Sequence, residues 1–179
     1  MPSINSCTRE LVMSFANRIS RTLHDEHCAT VALMERLEQL IARHRRGSPP
    51  NAADRGIVQL LSDLSASLGT EVEHHFTFEE DHLFSYLRAI GDDAIGAHLT
   101  DEHLAIRPLG KRITLLAREA SANGFDEAKW NEFRGLGEEL CERMLAHVQK
   151  EEMALLPLLE ENMDAETEAR LYREYIGIA

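Results

Sequence analysis

Residues 71–87 read EVEHHFTFEEDHLFSYL and lie within a longer pattern of apolar residues spaced by three or four positions. That spacing is typical of a helix that buries one face. The apolar positions are Ile57, Leu61, Leu64, Leu68, Val72, Leu83, Tyr86 and Ile90. Continued through the quoted stretch, the pattern places His75 and Glu79 one above the other on the buried face. Because an unpartnered buried carboxylate is costly, the stretch predicts a polar network or a bound cation in a helical core.

Composition indicates a single helical domain covering residues 1–179. The chain is rich in Ala, Leu, Glu and Arg, only 6% of its residues are aromatic, and no stretch is typical of a strand. Its net charge of -12 disfavours nucleic acid or an anionic membrane as a partner, since both attract cationic surfaces. We expect a cytoplasmic protein, because no apolar run is long enough to span a membrane and the first residues do not resemble a signal peptide. The three cysteines form no CxxC pair, and we expect free thiols.

Breaks in the apolar pattern divide the chain into four long helices and a short fifth one. The segments RGSPPN at residues 46–51 and SANGFD at residues 121–126 disfavour helix. The first helix is expected from about Thr8 to about residue 45, the second over about residues 53–90, and the fourth over about residues 126–162. Pro108 predicts a kink or restart in the third helix.

This order predicts an all-α fold, an up-down-up-down four-helix bundle with a short C-terminal helix. The core bundle is expected over about residues 8–162 and the last helix, capped by Asp164, over about residues 165–176. The last helix is expected to fold over one end of the bundle.

Two motifs repeat between the halves of the chain. The pattern HxxxEE occurs as HFTFEE from His75 and as HVQKEE from His147, on the second and fourth helices. The triplet DEH ends at His27 on the first helix and at His103 on the third. The chain is therefore interpreted as two related helical hairpins.

Each of the four long helices carries one histidine in its buried register, and two carry a glutamate one turn later. A single buried histidine is more often a hydrogen-bonded core residue than a ligand. Four histidines with two glutamates, brought to one level by short loops, favour a metal site. The candidate ligands are His27, His75, Glu79, His103, His147 and Glu151. Six nitrogen and oxygen donors exceed the four of a structural zinc and suit two iron or manganese ions bridged by the carboxylates.

These residues resemble the hemerythrin HHE cation-binding family. The resemblance covers nearly all of residues 20–160, and the paired HxxxEE blocks are its most specific part. It implies a four-helix bundle around two non-haem iron ions, bridged by carboxylates and an oxide or hydroxide, with the six residues above as ligands. It also implies dioxygen or nitric oxide as the small ligand, in a sensor, a scavenger or an iron-handling protein.

The third helix departs from the oxygen-carrying hemerythrins, which have a second histidine four residues after the first. Here Arg107 follows His103 at that spacing, and Leu99 precedes it. One imidazole is therefore missing, which disfavours stable oxygen carriage. The remaining set resembles the bacterial iron-centre repair proteins and the iron-sensing domains of eukaryotic ligases, although the cysteine-containing domain usual in the repair group is not recognised here.

Several neighbouring residues are predicted to have secondary roles. His24, His74 and His82 lie off the buried register, with His24 as a reserve ligand. Glu80 and Glu152 are expected to be solvated or to orient other groups. Glu26 and Glu102 are candidates for accepting a hydrogen bond from an imidazole across a helix interface. Tyr86 is expected either to close the pocket or to fill space.

Three alternative functions remain open from the residues. A di-iron oxidoreductase acting on ferrous ion, peroxide or nitric oxide would use the same ligands, although a binding role is favoured. A ferritin-like oxidase would use the ExxH patterns Glu71 to His74 and Glu79 to His82, which both lie on one helix instead of two. A metal-free interaction bundle would use the polar layer only to specify helix register.

Overall fold

The computed structural model describes residues 15–44 and 48–178, with the exception of the Glu71 side chain. No strand occurs in this part of the chain. The helices are α1 at Arg18–Arg43, α2 at residues 55–89, α3 at Ala94–Asn123, α4 at residues 127–162 and α5 at Ala165–Tyr175. The predicted all-α architecture of four long helices and a short C-terminal helix is therefore confirmed.

Helices α1 to α4 form a ring in chain order. Helix α2 packs against α1 and α3, and α4 packs against α3 and α1. Short connections join consecutive helices, so neighbours run in opposite directions. Helix α5 packs against α1 at one end of the bundle. Within the described residues, no helix is both long and apolar enough to cross a membrane.

The core consists of two apolar clusters separated by a polar layer. One cluster contains Leu37, Leu64 and Phe133, and the other, toward α5, contains Leu23 and Leu159. On each long helix the candidate ligands occur where residues of one cluster give way to residues of the other. The apolar clusters therefore hold the four helices together on both sides of the histidines and glutamates.

Helix α1 begins at Arg18 and not near Thr8 as predicted, as far as the described residues show. Residues 15–17 are not helical, and residues 8–14 lie outside the described residues. The amides at the start of α1 and just before it donate to carboxylates of other helices. Those of Ala16 and Asn17 donate to the Glu160 carboxylate at 2.8 and 3.0 Å, and that of Arg18 donates to Glu168 at 2.9 Å. The helix start is thus capped by tertiary contacts that no local pattern reveals.

Helix α3 continues through Pro108, so of the predicted kink or restart, the restart does not occur. Pro108 lies on the exposed face of the helix. Pro108 has no amide proton to donate to the carbonyl of Leu104. On this exposed face water can bind that carbonyl, which reduces the free-energy cost of the proline.

The expectation of three free thiols is also wrong. Cys28 is disulfide-bonded, whereas Cys141 is a free thiol in the core, where burial raises its pKa to about 12. Cys7 lies outside the described residues.

Two glycines test how closely the helices approach one another. A Cβ atom on Gly96 of α3 would lie 2.9 Å from the Cβ atom of Phe84 in α2, whereas one on Gly135 of α4 would meet nothing within 4 Å. We expect Gly96→Ala to lower the free energy of unfolding by about 1–3 kcal/mol through overpacking. Gly135→Ala, on an exposed helical surface, should raise it by about 0.5–1 kcal/mol. Urea unfolding would measure both, and equal effects would contradict the close contact between α2 and α3.

Candidate metal centre

All six candidate ligands meet in the polar layer. The most exposed of them, His75, has only 6% of its surface accessible, and four of the six are fully buried. They form two groups that could each hold a metal ion, and in each group the potential ligand atoms lie within 4.8 Å of one another. The first group contains His27 and His75, the second contains His103 and His147, and both groups share Glu79 and Glu151.

Wider turns of helix keep the two glutamates on the buried face. A π-helical turn covers Glu79–Leu83 in α2, and another covers Glu151–Leu155 in α4. Four residues of α-helix make slightly more than one turn, so residues spaced by four drift off one face. A π turn is wider, and the drift reverses. His75, Glu79 and Leu83 therefore all point into the core.

The imidazoles of each group face one another through their Nε2 atoms. These atoms lie 3.3 Å apart in His27 and His75 and 3.1 Å apart in His103 and His147. Two ligand atoms at right angles on one cation, with bonds of about 2.1 Å, would be about 3.0 Å apart. The separation of the nitrogens therefore fits two ligands of a common metal ion.

Each shared glutamate directs one oxygen to each group. Glu79 lies 3.2 Å from the Nε2 atom of His75 through Oε1 and 3.3 Å from that of His103 through Oε2. Glu151 lies 2.9 Å from the Nε2 atom of His27 through Oε2 and 2.8 Å from that of His147 through Oε1. Both carboxylates are thus placed to bridge two cations.

A second set of four carboxylates binds the outer nitrogen of every site histidine. The Nδ1 atoms of His27, His75, His103 and His147 lie 2.6, 2.7, 2.7 and 3.0 Å from the carboxylates of Glu152, Glu26, Glu80 and Glu102, respectively. An imidazole that donates its Nδ1 proton to a carboxylate presents the Nε2 lone pair toward the centre. All four histidines are therefore oriented as metal ligands are.

These four hydrogen bonds form a closed ring around the bundle. Each long helix contributes one site histidine and one carboxylate that binds the histidine of the next helix. Glu26 and Glu102 accept the expected bonds across helix interfaces. Of the two roles considered for Glu80 and Glu152, the orienting one is observed. The orienting role of Glu80 and Glu152 could be inferred from the EE pairs. The second glutamate of each pair lies about a quarter turn around the helix from the first and so faces the adjacent helix.

Each of these carboxylates accepts a further hydrogen bond. Arg107 donates to Glu80 at 2.7 Å, Lys150 donates to Glu102, His24 lies 2.9 Å from Glu152, and Tyr175 donates its hydroxyl to Glu26. No such role was predicted for Arg107, Lys150 or Tyr175. Nothing in the local pattern identifies these donors, since Tyr175 comes from α5 and the others act across helix interfaces.

The shared glutamates themselves have no such partners. None of the four oxygens of Glu79 and Glu151 accepts a hydrogen bond from the described residues, although all are buried. They lie at ion-pair distance from the imidazole Nε2 atoms, which present lone pairs and not protons when Nδ1 is the donor. Two buried anions that face four lone pairs need positive charge between them, from protons or from metal cations.

In the metal-free protein, protons supply this charge. Burial disfavours the charged form of His27, but contacts with Glu151 and Glu152 raise its pKa to about 9. Burial also opposes protonation of His103, and contacts with Glu151 and other carboxylates raise its pKa to about 9. Burial opposes ionisation of Glu151, yet the charge of His147 and contacts with the other imidazoles hold its pKa well below the usual range. A metal cation must therefore displace protons to bind.

A cavity of about 670 Å³ lies between α1 and α2 and reaches the first group. His27, His75 and Glu151 line its inner end. Phe76 and His147 also line the cavity. The ring of Phe76 stacks on His103 with centroids 3.7 Å apart and covers that imidazole. A small molecule in the cavity can therefore approach the polar layer at His27, His75 and His147.

The remaining candidates lie elsewhere. His74 packs its ring against Tyr175, and His82 pairs with Glu174 at 3.2 Å. Neither of these histidines, nor His24, belongs to a potential metal group among the described residues. The ferritin-like alternative therefore has no support from His74 or His82.

The Tyr86 hydroxyl donates to the carbonyl of Asn162 at 2.6 Å. It therefore joins α2 to the end of α4 and does not close the pocket.

The family model for the hemerythrin HHE cation-binding domain matches residues 18–159, and a second match of it covers residues 99–175. The first match alone spans well over half of the chain. The chain belongs to the hemerythrin HHE cation-binding family. No curated protein matches it. The two buried groups of histidines and glutamates agree with a cation-binding helical protein of this family.

Stability should depend on pH differently in the metal-free and metal-loaded forms of this hemerythrin-like protein. The raised pKa values of His27 and His103, about 9 against an ordinary 6.5, stabilise the metal-free fold fully below pH 6.5. That contribution, up to about 3 kcal/mol for each histidine, is lost as the pH rises to 9. Urea unfolding between pH 6.5 and 9 should show this loss in chelator-treated protein. The metal-loaded form should not show it, because its imidazoles carry no Nε2 protons.

Glu151→Gln is the matched control for this pH dependence. It removes the carboxylate that contacts His27, His103 and His147, and it should flatten the pH dependence of the metal-free form. The same slope in wild type and variant would contradict the role of this carboxylate in holding protons on the imidazoles.

Proposed function

We propose that this protein binds two iron ions through His27, His75, Glu79, His103, His147 and Glu151 and uses them to bind dioxygen or nitric oxide as a sensor, scavenger or iron-handling protein. The observation that carries the proposal is the pair of buried carboxylates shared between two pairs of imidazoles. Each ion would receive two imidazole nitrogens and two carboxylate oxygens. Six nitrogen and oxygen donors exceed the four that satisfy a structural zinc ion, and donors of these types suit iron or manganese.

Iron held there would supply redox capacity and coordination positions that protein ligands do not fill. The chain supplies the surroundings. The carboxylates on the Nδ1 atoms keep each imidazole in the tautomer and orientation that a metal requires. The apolar clusters flank the polar layer on both sides, and the cavity between α1 and α2 offers a small ligand a path toward His27, His75 and His147.

The contacts of Arg107 support sensing or scavenging over stable oxygen carriage. Its guanidinium donates to Glu80 at 2.7 Å and to Glu73 at 3.3 Å, so it lies outside the ligand groups. Helix α3 therefore offers one imidazole, and both metal positions have the same set of protein donors. Neither position is saturated by protein ligands, which favours transient reaction over protected storage of a diatomic ligand.

Metal content tests the proposal directly. Protein produced with ample iron should contain about two irons per chain by mass spectrometry, since carboxylate-bridged sites of this kind hold two metals. A Glu79→Ala, Glu151→Ala variant should contain almost none, because it loses both bridges. An Asp81→Ala, Glu142→Ala variant, which removes two exposed acidic side chains from the same helices, should keep both irons. Little metal in every preparation would reject the proposal and favour a metal-free bundle with a structural polar layer.

The size of the cavity favours one alternative, a di-iron oxidoreductase. At about 670 Å³ the cavity is larger than a diatomic molecule needs and lies within the range of about 300–1,000 Å³ usual for small-molecule sites.

Turnover separates the two functions. Under the binding proposal, the iron-loaded protein should consume no more than about one equivalent of dioxygen, nitric oxide or peroxide per centre when excess ferrous ion or ascorbate is present, because binding alone regenerates nothing. Stopped-flow absorbance and gas-electrode measurements would follow consumption, with the Glu79→Ala, Glu151→Ala variant as the blank. Sustained consumption over many equivalents would favour the oxidoreductase.

A further inference from the structure

The C-terminal helix α5 lies outside the four-helix ring but reaches one of its carboxylates. Tyr175, the last residue of α5, donates its hydroxyl to Oε2 of Glu26. The same oxygen lies 2.7 Å from the Nδ1 atom of His75. A continuous hydrogen-bonded path therefore runs from α5 through Glu26 to a site histidine.

Glu26 differs from the other three ring carboxylates in its exposure and in the type of its further donor, a neutral hydroxyl. Its side chain is 42% exposed, whereas those of Glu80, Glu102 and Glu152 are 22–26% exposed. Those three carboxylates contact Arg107, Lys150 and His24, respectively. Among the described residues, the hydrogen bonds of Glu26 come from His75 and Tyr175 alone. Without Tyr175, a half-exposed carboxylate would be free to turn toward water.

Helix α5 is held against the bundle by contacts that place Tyr175. Glu168 accepts bonds from the amide of Arg18 and from its guanidinium, the latter at 2.8 and 3.2 Å. The same guanidinium lies 4.5 Å above the ring of Tyr172. Tyr175 is buried and packs its ring 4.6 Å from that of Phe78, measured between centroids. The position of the hydroxyl is therefore set by the docking of α5 as a whole.

We propose that Tyr175 is a positioning residue that couples the docking of α5 to metal binding at His75. The docked helix holds Glu26, and Glu26 holds the imidazole in its ligating orientation. Because coupling between two equilibria is reciprocal, metal at the His27 and His75 position in turn stabilises the docked helix. This inference rests on the proposed function and extends it. The docking of α5 would depend on whether metal occupies the position at His27 and His75.

Release of iron to a chelator tests the coupling. Tyr175→Phe keeps the ring and its packing and removes only the hydroxyl. We expect one of the two irons to leave about 3–10 times faster than in wild type and the other to leave at the wild-type rate. The expected factor is below the 10–100-fold usual when the direct partner of a ligand is removed.

Tyr86→Phe is the matched control for this experiment. Its hydroxyl also makes a hydrogen bond, to the carbonyl of Asn162, but none to a ring carboxylate. It should release both irons at the wild-type rates. A merely structural role for Tyr175 would change both release phases together. Identical kinetics in Tyr175→Phe and Tyr86→Phe would overturn the proposal.

Hydrogen exchange of wild-type protein tests the reciprocal effect and does not depend on the folding of a variant. Backbone amides of residues 165–175 should exchange about 3–10 times more slowly in the iron-loaded form than in the metal-free form. In Tyr175→Phe this difference should shrink at α5 and persist in α3. Equal exchange at α5 in both forms of the wild type would also overturn the proposal. Wild-type protein that retains no iron would instead reject the proposed function itself.

Discussion

Two carboxylates buried among four imidazoles set the constraint on which this bundle depends. Glu79 and Glu151 are fully buried, and no described residue donates a hydrogen bond to them. Such anions are tolerated only with positive charge beside them, either as protons on the imidazoles or as metal cations. The same constraint explains the raised pKa of His27 and the spacing of the Nε2 atoms. The centre of the bundle is therefore built around charge and not around apolar packing, which the two flanking clusters supply.

The four carboxylates that bind the Nδ1 atoms also specify how the helices are arranged. Each long helix gives one imidazole to the centre and one carboxylate to its neighbour, so no pair of adjacent helices can slide without breaking a hydrogen bond to a site histidine. The outermost donors differ around the ring. They include the cations of Arg107 and Lys150 on one side and the hydroxyl of Tyr175 on the other. A repeated sequence thus produces a centre whose surroundings are unequal.

Much of the fold and of the inner site could be predicted, because periodic burial is a local signal. The apolar register located four long helices and placed His75 and Glu79 on the buried face, and the repeat of HxxxEE indicated the matching pair on α4. The start of α1 at Arg18 could not be predicted, because carboxylates of α4 and α5 accept hydrogen bonds from the amides at that start and just before it. The sequence left a kink or a restart open at Pro108, and the helix is continuous there, with Pro108 on its exposed face.

The sequence by itself determined which residues enter the polar layer, since the spacing of apolar and polar residues along a helix decides which side chains face inward. Only the tertiary structure decided which carboxylate binds which imidazole, because those bonds join residues up to 125 positions apart. It also decided that Tyr175 of α5 reaches Glu26, 149 positions away. Such contacts depend on the relative height and rotation of packed helices, and neither is encoded in the period of a single helix.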